Sequence, residues 1–207
     1  MRKRVFCEIV LQNEEHSVII SGENIFLGIV DMKKRQIEKI VLSGMLLAIG
    51  FVLPMLTSQI KEIGDTLLPM HLPVLLCGLI CGWTYGGMVG LSLPFLRAIL
   101  IDMPPLYPNA VWMAAELMTY GAVSGIIYSL FKKKNLMSIY VSLIVAMLSG
   151  RIVWGITKAL LLGIKGRTFT FAAFITGGFV DALLGIVIQL VLIPMLVFAY
   201  EHSTKGR

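Results

Sequence analysis

Residues 136–163 read LMSIYVSLIVAMLSGRIVWGITKALLLG, an apolar stretch interrupted by only two charges, Arg151 and Lys158. A helix crossing the hydrocarbon core of a bilayer needs about 20 mostly apolar residues, so this stretch is long enough to span. Working outward, comparable runs recur on both sides of it. Read against charges, glycines and prolines, they predict six transmembrane helices at about 38–57, 70–82, 85–102, 108–131, 136–163 and 169–200. The expected fold is an all-α integral membrane protein with little outside the lipid. The chain as a whole agrees, with 207 residues, 57% of them hydrophobic, 14% charged and a mean hydropathy of +0.85. A soluble domain carries about a quarter charged residues.

Local signals set the boundaries. The second span is short for a bilayer, because Pro69 and Pro73 confine its start and Gly82 with Gly86-Gly87 marks a tight turn into the third. MPPLYP at 103–108 breaks the helical path, since proline removes a backbone donor and disfavours the helical region for the residue before it. Residues 1–31 lack a spanning run and a signal-type cleavage site. A basic flank beginning at Met32-Lys33-Lys34-Arg35 then leads into the first span. The expectation is a leader or mis-assigned start over 1–31 and a membrane domain over 32–207.

The formal charge of +6 does not point to nucleic acid, because the basic residues flank apolar runs. With six spans, Lys33, Lys34, Arg35, Lys39, Lys132, Lys133, Lys134, Lys205 and Arg207 fall on the side of both termini. Only Lys61, Lys165 and Arg167 fall on the other. Positive loops stay inside, so the termini are expected in the cytoplasm. Of the three cysteines, Cys77 and Cys81 share one apolar run at a spacing that fits no zinc, haem or Cys-x-x-Cys pattern. They read as packing residues, and no metal site is expected.

Ionisable groups inside lipid are costly and mostly face a protein interior or a solvated cavity. The candidates are Arg97, Glu116, Arg151, Lys158 and Asp181. On the predicted boundaries Arg97 and Lys158 lie about 8 Å from the outer ends of their helices, Glu116 about 12 Å, and Arg151 and Asp181 about 18 Å. All sit in the outer half or near the midplane, which predicts an outward-opening pocket. Helical periodicity places Asn109, Trp112, Glu116 and Tyr120 on one face, and Arg151, Trp154 and Lys158 on another. A purely structural alternative pairs Arg151 with Asp181 and Lys158 with Glu116. Three cations against two anions leave one positive charge for a ligand carboxylate or phosphate, unless Asp102 neutralises Arg97. His71, before Pro73, is either a rim ligand or an interfacial histidine. Gly44 and Ala48 form a small-xxx-small pair suited to close helix approach; Gly121 with Gly125 repeats it, and Gly177-Gly178 opens the last span.

The segments HLPVLLCGLICGWTYGGMVGLSLPFLR (71–97), MPPLYPNAVWMAAELMTYGAVSGIIY (103–128), GRIVWGITKALLLG (150–163) and GIVIQLVLIP (185–194) resemble the substrate-binding S components of energy-coupling factor (ECF) vitamin transporters. The resemblance is greatest to the pantothenate and pyridoxine branch. It implies a six-helix carrier that captures a vitamin or precursor from outside between its fourth to sixth helices. It also implies a transmembrane coupling subunit and two ABC-type ATPase subunits as partners, with toppling of the whole S component in the bilayer as the transport step. The family's Ala-x-x-x-Ala motif toward the coupling subunit is matched by Gly44 and Ala48, glycine replacing the first alanine. No Walker A loop is present, so ATP is expected to be used by the partners and no cofactor by this chain. The rivals are an intramembrane lipid-modifying enzyme with His71, Asp102 or Glu116 as catalyst, which lacks a recognisable catalytic motif, and a stand-alone small-solute carrier.

Overall fold

The computed structural model describes residues 32–56, 69–132, 135–164, 166, 168–180 and 182–205. The expected leader at 1–31, most of the 57–69 connection with Lys61, and Lys133, Lys134, Lys165, Arg167, Asp181 and Arg207 lie outside the described residues. The chain divides into two units, Met1–Lys39 and Ile40–Arg207. Of the first, the described part is the helical stretch 32–39, and the second forms the bundle.

All regular structure among the described residues is helical. The elements are α1 (Met32–Leu56), α2 (His71–Cys81), α3 (Trp83–Ile101), α4 (Val111–Leu130), α5 (Leu136–Ile164), α6 (Phe171–Ile175) and α7 (Leu183–Lys205). Among the described residues five apolar segments are long enough to cross a membrane: α1, α3, Leu106–Leu130, α5 and Phe171–Glu201. The second expected span is the 11-residue α2, about 16 Å long at the helical rise and so about half a hydrocarbon core. Its start follows from Pro73, which sits in the first turn where no intrahelical donor is required. Nine of its residues, from His71 to Cys81, are buried, because α3, α4 and α7 pack around it.

The reversal from α2 to α3 is made by Gly82 alone. Its φ of +103° belongs to a region that side chains other than glycine rarely adopt. Its N–H donates to Gly78 O at 3.1 Å, and its carbonyl accepts from Gly86 N at 3.0 Å. Gly86 and Gly87 are therefore inside α3 and not in the turn, contrary to the sequence expectation. They serve packing: a Cβ at Gly86 would meet Gly121 O at 2.6 Å and Gly78 Cα at 2.6 Å. Gly78, Gly90, Gly121 and Gly125 are confined in the same way by facing backbone. α2, α3 and α4 thus touch main chain to main chain along a glycine seam, the use of small residues that lipid-embedded helices favour.

The break at 103–108 is present. Asp102 closes α3 in the left-handed region, and Tyr107, before Pro108, is extended at φ −127°, ψ 128°. A single turn at Leu106–Ala110 leads into α4. In the last expected span α6 runs directly into a π-helical turn at Thr176–Val180, where Gly177 and Gly178 weaken the α-helix and the Trp154 indole packs against them; α7 begins at Leu183.

Long apolar side chains cover the outside of α1, α3, α5 and α7, including Met45, Val52, Leu91, Ile99, Ile152, Leu160, Val191 and Phe198. Such a surface is stable only in lipid. The chain is a multi-pass membrane protein. The core beneath is built from Leu46, Val74, Leu75, Leu93, Leu117, Leu143, Ile193 and Val197.

Candidate functional site

Contacts between helices bring the chemistry-bearing residues to one end of the bundle. His71 opens α2, Trp112 and Glu116 lie in the first two turns of α4, Lys158 is near the end of α5, and Phe169 precedes α6. At the opposite end, the Tyr128 hydroxyl donates to Glu201 Oε1 at 2.8 Å, joining the last turns of α4 and α7.

α4 and α5 run antiparallel and meet in levels. At the level nearest the site's mouth, the Lys158 ammonium lies 4.4 Å from the Trp154 ring centroid, 5.4 Å from Trp112 and 5.3 Å from Phe169. This geometry follows from the helix. Side chains tilt toward the N-terminus, so Lys158 leans back over Trp154, four residues earlier, and extends its stem along apolar surface. Each ring presents a negative face to the ammonium. Trp154 is itself fixed by Phe169 edge-on at 5.9 Å and by Phe174 at 6.1 Å, with Gly177 and Gly178 giving its ring room.

One level deeper, Arg151 Nη1 is 3.0 Å from Glu116 Oε1, and the Tyr120 hydroxyl donates to that same oxygen at 2.9 Å. His71 Nε2 stands 3.6 Å from it, with its ring 5.1 Å from that of Tyr120. Deeper again, the Tyr120 ring packs against Gly150, where a Cβ would collide with it. His71, Glu116 and Arg151 are each at most 4% exposed, and Tyr120 is 2% exposed. Both ring nitrogens of His71 and Arg151 Nε have no hydrogen-bond partner among the described residues.

The two helical stripes expected from sequence therefore do face each other. Arg151 pairs with Glu116, and Lys158, which the structural alternative set against Glu116, makes no ion pair among the described residues. Asp181 lies outside the described residues. The periodicity gave the faces of α4 and α5 but not their relative height, and at the observed height Arg151 is the cation level with Glu116. Asn109 is half-buried in the turn before Trp112.

Arg97 is not brought to this cluster by any described contact. It is buried, and its Nη1 donates to Phe51 O of α1 at 2.9 Å. Asp102 is exposed at the end of α3 and forms no ion pair with it among the described residues. Gly44 and Ala48 lie exposed on α1, and a Cβ at Gly44 would meet nothing within 4 Å. Phe169 and Phe174 were missed from the sequence. Their signal is the aromatic spacing in TFTFAAF at 168–174, directly after the span that carries Trp154. No group of acidic, histidine or cysteine residues among the described residues is arranged to hold a metal.

The family model for the ECF transporter, substrate-specific component matches residues 38–197. The chain belongs to this family. No curated protein and no solved structure matches the chain. As an S component it is a membrane-embedded transport component and not an enzyme. Family members work with coupling and ATPase subunits. The matched range takes in α2 to α5 whole and the first two thirds of α7, and contains every residue of the two-level site described above.

Proposed function

We propose that this S component captures a small water-soluble vitamin or precursor of the pantothenate or pyridoxine kind from the extracellular side. The site is the space between α4, α5 and the Phe169–Gly178 segment. Lys158 takes the ligand's anionic end, and Trp112, Trp154 and Phe169 form apolar walls. The observation that carries this reading is the Lys158 ammonium held among three aromatic rings without an ion pair among the described residues. A vitamin-sized ligand needs mostly apolar enclosure with a few convergent polar groups, and a cation that no described carboxylate pairs with can meet one from outside.

Glu116, Arg151, Tyr120 and His71 form the floor. Asn109, at the entry to α4, belongs to the same end of the bundle. The termini lie in the cytoplasm, with α2 as a short sixth helix that neighbouring helices complete. Delivery requires the coupling subunit, docked on Gly44 and Ala48 of α1, and two ATPases that supply the energy. This assignment is preferred to a stand-alone carrier because the family acts with those subunits.

The test is Lys158→Met in the detergent-solubilised chain. Because Lys158 leaves no described carboxylate behind, the variant should keep its ligand-free thermal stability. It should lose affinity for an anionic ligand by roughly 10- to 150-fold, the equivalent of one charge-assisted hydrogen bond. Unchanged affinity would remove Lys158 from the site.

A further inference from the structure

α1 is less enclosed than the helices it joins: 22% of its apolar stretch is buried, against 44% for α3, Leu106–Leu130 and α5. Helices in lipid have little hydrophobic drive to choose one seating over another. The inner face of α1 rests where Gly50 meets Leu93 of α3 and Pro73 of α2, at 2.8 and 3.3 Å from the place a Cβ would take. Beside that seat, Arg97 of α3 donates from Nη1 to the Phe51 carbonyl at 2.9 Å. Consecutive residues lie about 100° apart around a helix, so α1 is held from two directions. The packing at Gly50 sets its distance, and the bond to Phe51 fixes its height and rotation.

An ionisable side chain in a lipid-embedded helix is costly, and an apolar one would pack against α1 without that cost. Arg97 is 7% exposed, its Nε has no hydrogen-bond partner among the described residues, and it forms no ion pair there. What the guanidinium adds is a directional bond to one particular carbonyl. Pro54 increases the need for it, because proline has no N–H to give the Gly50 carbonyl, and the ladder of α1 is weaker at this level. Ser43, buried on α1, spends its hydroxyl on Ile40 O of the same helix at 2.9 Å.

Gly44 lies seven residues before Phe51, an interval that returns a helix to within about 20° of the same angle. Ala48 lies between them. The height and rotation imposed at Phe51 are therefore passed along the helix to both small residues. Resting on the reading of Gly44 and Ala48 as the docking face, we propose that Arg97 is the positioning residue of that face, holding α1 where the coupling subunit can meet it. Arg97 itself lies on α3, off the face.

The test measures binding of the full chain in detergent to an immobilised complex of the coupling subunit with its two ATPases, below the melting temperature of every variant. Arg97→Met should bind at least roughly tenfold more weakly than the wild type, the value of one charge-assisted hydrogen bond. Arg97→Lys keeps a charged donor for the Phe51 carbonyl and should recover most of that loss. Gly121→Ala strains the contact between α3 and α4, away from α1; it controls for lost stability and should bind as the wild type does. Gly50→Leu lifts α1 from Leu93 and Pro73, should also weaken binding, and carries the test where Arg97→Met does not fold.

Wild-type binding by Arg97→Met, a defect in Arg97→Lys as large as that in Arg97→Met, or an equal loss in Gly121→Ala would each overturn the proposal. Where Arg97→Met does not fold, wild-type binding by Gly50→Leu overturns it. Gly44→Leu tests the docking face by itself. If Gly44→Leu abolishes binding and Arg97→Met leaves it intact, the face stands and the positioning role falls; if Gly44→Leu binds as the wild type does, the face falls with it.

Discussion

Arg151 and Tyr120 converge on a single oxygen of Glu116, at 3.0 and 2.9 Å, from two different helices and in a fully buried position. A buried ion pair is costly to break from one side, because the remaining charge is left without compensation; the loss is about 3–5 kcal/mol. Arg151→Met should therefore destabilise the ligand-free protein by about that amount. Arg151→Met with Glu116→Gln should recover most of it. Unfolding of the three forms in detergent provides the comparison, and a double variant no more stable than the single one would show that Glu116 is neutralised by another group.

The glycine seam makes a paired prediction. Gly121→Ala pushes a Cβ into the Gly86 backbone and should cost about 1–3 kcal/mol, as overpacking does. Gly44→Ala meets open space and should be neutral or stabilising by up to about 1 kcal/mol, since alanine is the better helix former. Equal melting temperatures for the two variants would contradict the close approach of α3 and α4.

On α1 the same reasoning separates folding from assembly. Gly44→Leu and Ala48→Leu project outward from exposed positions, so ligand binding by the isolated subunit should be unaffected. Recovery of the coupling subunit in a pull-down should fall, because larger side chains hold a partner helix away. Loss of ligand binding alongside assembly would place this face inside the fold.

Arg97→Met removes the donor to Phe51 O. The expected cost is about 1.5–3 kcal/mol of stability, the value of a hydrogen bond from a charged group, with ligand affinity unchanged. A loss of affinity equal to that of Lys158→Met would return Arg97 to the ligand site.

The helices were readable because lipid imposes one rule, apolar runs bounded by charges, glycines and prolines. The stripes on α4 and α5 were readable because periodicity fixes which residues share a face. What periodicity does not fix is the height of one helix against another. For that reason the Arg151–Glu116 pair, the turn of Arg97 toward α1 and the approach of His71 to Glu116 emerge only in three dimensions. Gly86 was misread for a related reason. One glycine with positive φ completes the reversal at Gly82, which leaves the next glycines free for contact between helices.

The unequal lengths of α2 and α3 have a geometric consequence. The two helices share their lower end at Gly82, yet α2 has 11 residues and α3 has 19, a difference worth about 12 Å at the helical rise. His71 therefore begins α2 well below the level where α3 ends, within the bundle and not at its rim. Any group that comes to lie against His71 gives up its water. A hydroxyl does so at modest expense, whereas a carboxylate does so at great expense.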